Sequence, residues 1–245
     1  MLKIKYKNKE ELENELEDFK VLFAYNSNKI ENDEINYHDT REVFENGKVV
    51  GFSGNPRTLF EIHNQKDCYM FLLDKLVSRE KISTELIKAI HKELTKGTYD
   101  ERRYEKGERP GEFKKGDYIV GKAEIGSLAE DVEKEINDLV NEINEASSSD
   151  FLTIAAYFHL RFETIHPFAD GNGRVGRTLL NYYLIVNGIK PLIVYDEDKK
   201  LYYECLQAYD EKEDIEPLKK FLEYEQEKTW TRKKQPKTNL MMYLY

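Results

Sequence analysis

Two strongly apolar stretches joined by a tight polar loop constrain this chain more than any other feature. Phe151–Ile165 is apolar on nearly all sides, so it reads as a buried central helix. Arg174–Asn187 reads as a second apolar helix, closed by Gly188 with Pro191 beyond it. Pro167 stops the first helix at His166. The surroundings are helical too. Leu12, Leu16, Phe19 and Phe23 recur at helical spacing after Asn8, which caps together with Glu11. Thr58–Leu76 follows a glycine-rich loop or short hairpin at Glu45–Asn55. Ser83 is a good N-cap for Thr84–Thr95, with Ile82 and Ile87 as a hydrophobic staple and Gly97 as the stop. Val132, Ile136, Leu139, Val140 and Ile143 mark a helix over Glu130–Glu145, ahead of a polar break at Ser147–Asp150. Lys199–Ala208 and Pro217–Trp230 complete the set. The glycine-rich segment from Gly107 cannot sustain a long helix, and Tyr118, Ile119 and Val120 suggest a small hairpin. The expected fold is all-α: one domain over residues 1–230 with a small β-hairpin at about 107–121, then a basic tail at 231–245.

Composition narrows the function. Lys plus Arg number 38 and Asp plus Glu 47 among 245 residues, a net charge of −9. That balance argues against generic DNA binding but leaves room for a local basic pocket. The tail basic residues Arg232, Lys233, Lys234 and Lys237, beside Trp230, read as solvated. Cys68 and Cys205 are too far apart in sequence for a disulfide framework or a cysteine metal site. No signal-peptide core and no membrane-length apolar run is visible, so a soluble, cytoplasmic protein without a membrane partner is expected. His38, His63, His91 and His159 show no metal-ligand spacing; His159, seven before His166, is expected to pack or hydrogen-bond in its helix.

The chemistry concentrates in I-H-P-F-A-D-G-N-G-R-V-G-R-T, residues 165–178. Free backbone N–H groups around Gly171, Asn172 and Gly173 open the second helix, and its dipole favours an anion there. Arg174 and Arg177 project from one side of the first turn, which suits several linked phosphates. Asp170 is the loop's carboxylate, and beside phosphates such a group usually holds Mg²⁺. His166 is near enough to serve as general base. Each residue alone has an ordinary explanation as a cap, a turn or a solvated face. Nine specified positions in one segment occur by chance on the order of once in 10¹¹ to 10¹² starts, which removes that explanation for the set.

The segment H-P-F-x-D-G-N-G-R-x-x-R resembles the signature of the Fic (filamentation induced by cAMP) family, and the likeness extends over most of Ser27–Glu225. The resemblance implies an all-α fold and transfer of AMP from ATP to a hydroxyl side chain of a target protein. It implies that His166 deprotonates the hydroxyl, that Asp170 coordinates Mg²⁺ or Mn²⁺, and that Gly171–Gly173 with Asn172 form an anion hole. Arg174 and Arg177 would hold the phosphate tail, and Phe168 would anchor the loop. Members acting as kinases differ in the glycine segment. The hairpin with Tyr118, Ile119 and Val120 corresponds to the family's target-docking flap. Tyr202 and Tyr203 resemble its adenine-pocket aromatics, with core packing an equal alternative for one of them.

Further upstream, S-N-K-I-E-N at Ser27–Asn32 resembles the family's inhibitory helix, here spanning about 24–32. By that likeness Glu31 pairs with Arg177, and an autoinhibited adenylyltransferase is the leading expectation. The alternatives are a de-AMPylase, a transferase of another phosphate-bearing group, or a non-catalytic nucleotide sensor. The target, which includes the chain itself among the candidates, is open, as is homo-oligomerisation.

Overall fold

Side-chain caps decide where most of the helices begin. Asn8 Oδ1 accepts from the Glu11 N–H at 2.9 Å, opening α1 (Lys9–Glu15). Asn36 opens α3 (Tyr37–Asn46), Asn55 with Pro56 opens α4 (Pro56–Ser78), and Ser83 opens α5 (Thr84–Thr95) in the same way. Asp100 caps α6 (Glu101–Glu105), which the sequence pattern did not announce, and Asp150 caps α8 (Phe151–Ile165). The remaining helices are α2 (Glu17–Lys29), α7 (Val132–Glu145), α9 (Asn172–Val186), α10 (Lys199–Lys212) and α11 (Glu216–Thr231). This computed structural model describes residues 2–120, 124–146 and 150–231. The tail basic residues Arg232–Lys237, the serines at 147–149 and Gly121 lie outside the described residues. Among the described residues no helix is long and apolar enough to cross a membrane.

The apolar pair forms the centre. α8 packs against α7, α9, α10 and α11, while α9 also meets α2, α4 and α5. Buried side chains on α8 include Leu152, Ala155, Ala156, Phe158, Phe162 and Ile165, so its apolar residues have partners on every side. Cys68 and Cys205 are buried free thiols.

Two sequence expectations need adjustment. The helix expected from Asn8 divides at Leu16, and α2 ends at Lys29, so Glu31 sits on the turn just past the helix that carries Ser27. The hairpin is also displaced. Residues 107–118 are turns and irregular chain, and the described strands are only β1 (Ile119–Val120) and β2 (Glu124–Ile125), paired antiparallel with Ile119 opposite Ile125. Glycines at 107, 111 and 116 and Pro110 leave too little uninterrupted chain for pairing before Ile119. The legs of this segment are tied down beside the loop. Lys114 N–H donates to the Pro167 carbonyl at 2.9 Å, and Ser127 N–H donates to the Ile165 carbonyl at 3.1 Å.

Phe168 fixes the loop to the core. It is fully buried, stacks on His91 at 3.7 Å between centroids, and meets Phe113 and Phe162 at 5.4 and 6.4 Å. Truncating it leaves a cavity under the loop, so Phe168→Ala is expected to lower the unfolding free energy by about 3–5 kcal/mol in urea titrations.

Candidate active site

The loop is built from its backbone outward. α8 ends with His166 in the left-handed region at φ 50°, an unusual conformation for a non-glycine residue, and Gly171 at φ 85° turns the chain into α9. Asn172 closes the turn from inside. Its Oδ1 accepts from Phe168 N–H at 2.9 Å and its Nδ2 donates to the Phe168 carbonyl at 2.7 Å. That side chain is therefore spent within the loop, leaving its backbone N–H for any anion. His91 on α5 holds the same turn from outside. Gly111 N–H donates to its Nδ1 at 2.8 Å, which fixes Nε2–H as the donor to the Asp170 carbonyl at 3.0 Å. Burial pushes the His91 pKa down to about 3, so the ring stays neutral.

α9 starts with no side-chain cap and no acidic residue of its own. Glu31 supplies the negative charge from across the fold. Its Oε1 accepts from Arg177 Nη2 at 2.8 Å, and a Cβ added to Gly173 would lie 2.5 Å from that same oxygen. Only glycine permits such an approach. Arg177 is buried; its Nη2 also donates to the Ser27 carbonyl at 2.8 Å and its Nε to Ser27 Oγ at 3.2 Å. Burial opposes ionisation of Glu31, but the adjacent Arg177 guanidinium outweighs it and holds the carboxyl below its usual value.

Arg174 lies on the neighbouring face, 2% exposed, with Nη2 3.5 Å from Asp170 Oδ1 and Nη1 3.3 Å from Glu61 Oε1. Its Nε and Nη1 make no hydrogen bond among the described residues. A buried guanidinium with unmet donors suits an incoming oxyanion. Asp170 is gripped as well by Arg57 Nη2 at 2.7 Å and Arg103 Nη2 at 3.4 Å. Burial works against its charge, yet Arg174, Arg57 and Arg103 keep its pKa low. A cavity of about 500 Å³ is lined by His166, Asp170, Gly171–Arg174 and Glu31 on one side and Asn55, Arg57, Thr58 and Glu61 on the other. The imidazole, the glycine amides and Arg174 thus face one space, and Glu31 joins that space to Arg177.

The expected tyrosines do not line this cavity, although the Tyr202 ring lies 6.0 Å from the Arg177 guanidinium. Tyr202 is fully buried and its hydroxyl lies 2.6 Å from His159 Nε2, whereas Tyr203 is 42% exposed. Tyr118 Oη donates to Glu108 Oε1 at 2.7 Å. The backbone of Ile119 and Val120 forms β1.

Comparison with known proteins finds likeness in both sequence and fold. The Fic/DOC family profile matches residues 81–184. Protein adenylyltransferase fic-1 of Caenorhabditis briggsae is 29% identical over 191 residues, which cover 76% of this chain and 36% of the relative. A probable protein adenylyltransferase of Aquifex aeolicus is 31% identical over 161 residues, 64% of this chain and 47% of the relative. The Fic/DOC match thus takes in α8, the loop and most of α9. The chain spans less than half the length of these two relatives. The structure of a Fic-domain signaling protein from Bacteroides thetaiotaomicron matches with a TM-score of 0.78 at 22% identity, covering 90% of this chain and 87% of that one, which shows the shared fold.

Several residues of this site carry no local signal in the sequence. Arg57 and Glu61 come from α4, Arg103 from α6, and nothing local to their sequence marks them. Lys114 is equally silent: it is buried, and its Nζ has no hydrogen-bond partner among the described residues. Burial, then the Lys114 charge, push the His166 pKa down to about 4 against an ordinary value near 6.5. His166 should therefore titrate near pH 4 by NMR of its imidazole resonances. Lys114→Met should raise that midpoint, because one of the two opposing influences is gone while burial remains; an unchanged midpoint would exclude the lysine's part.

Proposed function

We propose that this chain is an autoinhibited protein adenylyltransferase, moving AMP from ATP to a hydroxyl side chain of a target protein. The observation that carries the reading is the Glu31–Arg177 pair lying over Gly173 at the start of α9. A carboxylate there occupies the position and the guanidinium that an ATP phosphate needs.

His166 is a neutral base across the physiological range, since it must be unprotonated to accept a proton and its pKa lies well below 7. In the proposed reaction it takes the hydroxyl proton as the oxygen attacks the α-phosphorus. The new P–O ester forms while the bond to the bridging oxygen breaks, and pyrophosphate leaves. Nucleotidyl transfer of this kind needs placement and charge neutralisation more than covalent help. The α9 amides, Arg174 with its unmet donors, and Arg177 once freed from Glu31 supply both. Asp170 fits a Mg²⁺ or Mn²⁺ ion held by one carboxylate plus phosphates and waters, which would neutralise charge on the phosphates. No group of three or more His, Cys, Asp or Glu that could cage a metal occurs among the described residues, in keeping with a substrate-borne ion. The flap segment is bonded on both flanks of His166, through Pro167 and Ile165, so a target strand added beside it would bring its hydroxyl toward the imidazole. Tyr203, exposed beside the core ring of Tyr202, is the candidate adenine contact.

The deciding assay follows labelled AMP from ATP. Glu31→Gly is expected to raise transfer, self-modification included, by about 100-fold, the scale of cost for a misaligned α-phosphate. His166→Ala should abolish it. Equal activity of Glu31→Gly and the parent chain removes the inhibitory role.

The half-exposed Glu31 carboxylate, held ionised in the same cavity as His166, also favours a second reaction, hydrolytic removal of AMP from a modified target. If Glu31 positions the water, Glu31→Gly will release AMP from modified target more slowly than the parent; identical release rates exclude this role.

A further inference from the structure

Asp170 is shared by three guanidiniums of unequal freedom. Arg174 is buried under the start of α9, and Arg103 is also paired with Asp100 at 3.4 Å and set over the Tyr99 ring. Arg57 is different. Its side chain is 39% exposed, it stands on the first turn of α4, and it forms the cavity wall that faces the α9 amides. Its fork is divided between two acids: Nη2 reaches Asp170 Oδ2 at 2.7 Å while Nε holds Glu61 Oε1 at 3.0 Å.

Glu61 does not depend on Arg57 for its place. It is 4% exposed, and Asn32 Nδ2 donates to its Oε2 at 2.8 Å, with Arg174 Nη1 at 3.3 Å from Oε1. The bond through Nε can therefore serve as a pivot while the Nη end changes partner. A planar guanidinium can do this and a lysine cannot. That Asp170 oxygen, Oδ2, carries both Arg57 Nη2 at 2.7 Å and Arg103 Nη2 at 3.4 Å, while Oδ1 meets Arg174 Nη2 at 3.5 Å, so a cation that takes Oδ2 competes first with Arg57. Cation and arginine cannot both have it, whereas a polyphosphate in the cavity offers the displaced Nη2 new oxyanion acceptors.

We propose that Arg57 exchanges between the Asp170 carboxylate and the terminal phosphates of a bound nucleoside triphosphate, and is thus a third phosphate-binding arginine of the site. The inference rests on the reading of the cavity as an ATP site. It makes Arg57 a competitor of the divalent cation and a partner of the triphosphate, so its loss has opposite effects on the two.

Binding to the full chain carrying Glu31→Gly tests this without any turnover. Calorimetry with ATP in EDTA, calorimetry with AMP, and electron paramagnetic resonance of free Mn²⁺ are compared with and without Arg57→Met. Asp170→Asn defines the Mn²⁺ signal that belongs to this carboxylate. Losing a charge-assisted contact should weaken ATP about tenfold. AMP should change less than twofold, and Mn²⁺ should bind roughly threefold or more tightly once the competing cation is gone. Arg57→Gln, closer in shape, is expected to give the same signs and serves if the Met variant is unstable. Unchanged ATP affinity, equal losses for ATP and AMP, or weaker Mn²⁺ binding would each overturn the role of Arg57 alone. Failure of the Glu31→Gly chain itself to bind ATP would overturn the ATP site together with this inference.

Discussion

The chain has to reverse direction between α8 and α9 inside the core, where unpaired backbone groups are costly, and the site follows from how it does so. Asn172 satisfies both backbone groups of Phe168, and Phe168 in turn fills the space beside His91 and Phe162. His91 reads the far side through the Asp170 carbonyl. With these contacts in place, the left-handed backbone of His166 and the glycine turn at Gly171 are held against their intrinsic preference. The imidazole and the amides of α9 then converge because the reversal leaves them nowhere else to go.

A helix start without its own cap, flanked by two buried arginines, is an electrostatic demand that the fold meets internally. Glu31 answers Arg177, and Glu61 with Asp170 answers Arg174 and Arg57. In the proposed reading Glu31 stands where a phosphate oxygen would, and the carboxylates together keep the guanidiniums ordered and charged before an anion arrives. Preorganisation of that sort lowers the rearrangement needed when a ligand arrives.

The central helices, their caps and the loop at 166–177 could be read from the sequence because they are local. Apolar run, proline, glycine and capping residue act within a few positions of one another. Ser27, Glu31 and Arg177 were joined only through a family likeness, since no spacing rule links residues so far apart. Arg57, Arg103, Glu61 and Lys114 are invisible for the same reason: each looks like a surface residue until packing carries its helix or loop toward Asp170 or His166. The flap expected at about 107–121 overlaps the observed strands at Ile119–Val120 alone, because glycine content marks where a helix cannot form, not where strands find partners.

The same contacts bear on how the proposed restraint is released. α2 is sewn to α4 by Asn28 Nδ2 to the Glu61 carbonyl at 3.0 Å and by Gln65 Nε2 to Asn28 Oδ1 at 3.1 Å, with Phe19 and Ile30 in the core. Undocking the helix would break these buried bonds and expose that apolar surface, a cost of several kcal/mol by area and hydrogen-bond reckoning. Glu31 itself lies beyond the last turn, and its side chain is 37% exposed. Rotating it off Arg177 leaves α2 in place and keeps Asn32 on Glu61. On energetic grounds, release by a side-chain movement at Glu31 is therefore favoured over withdrawal of the helix.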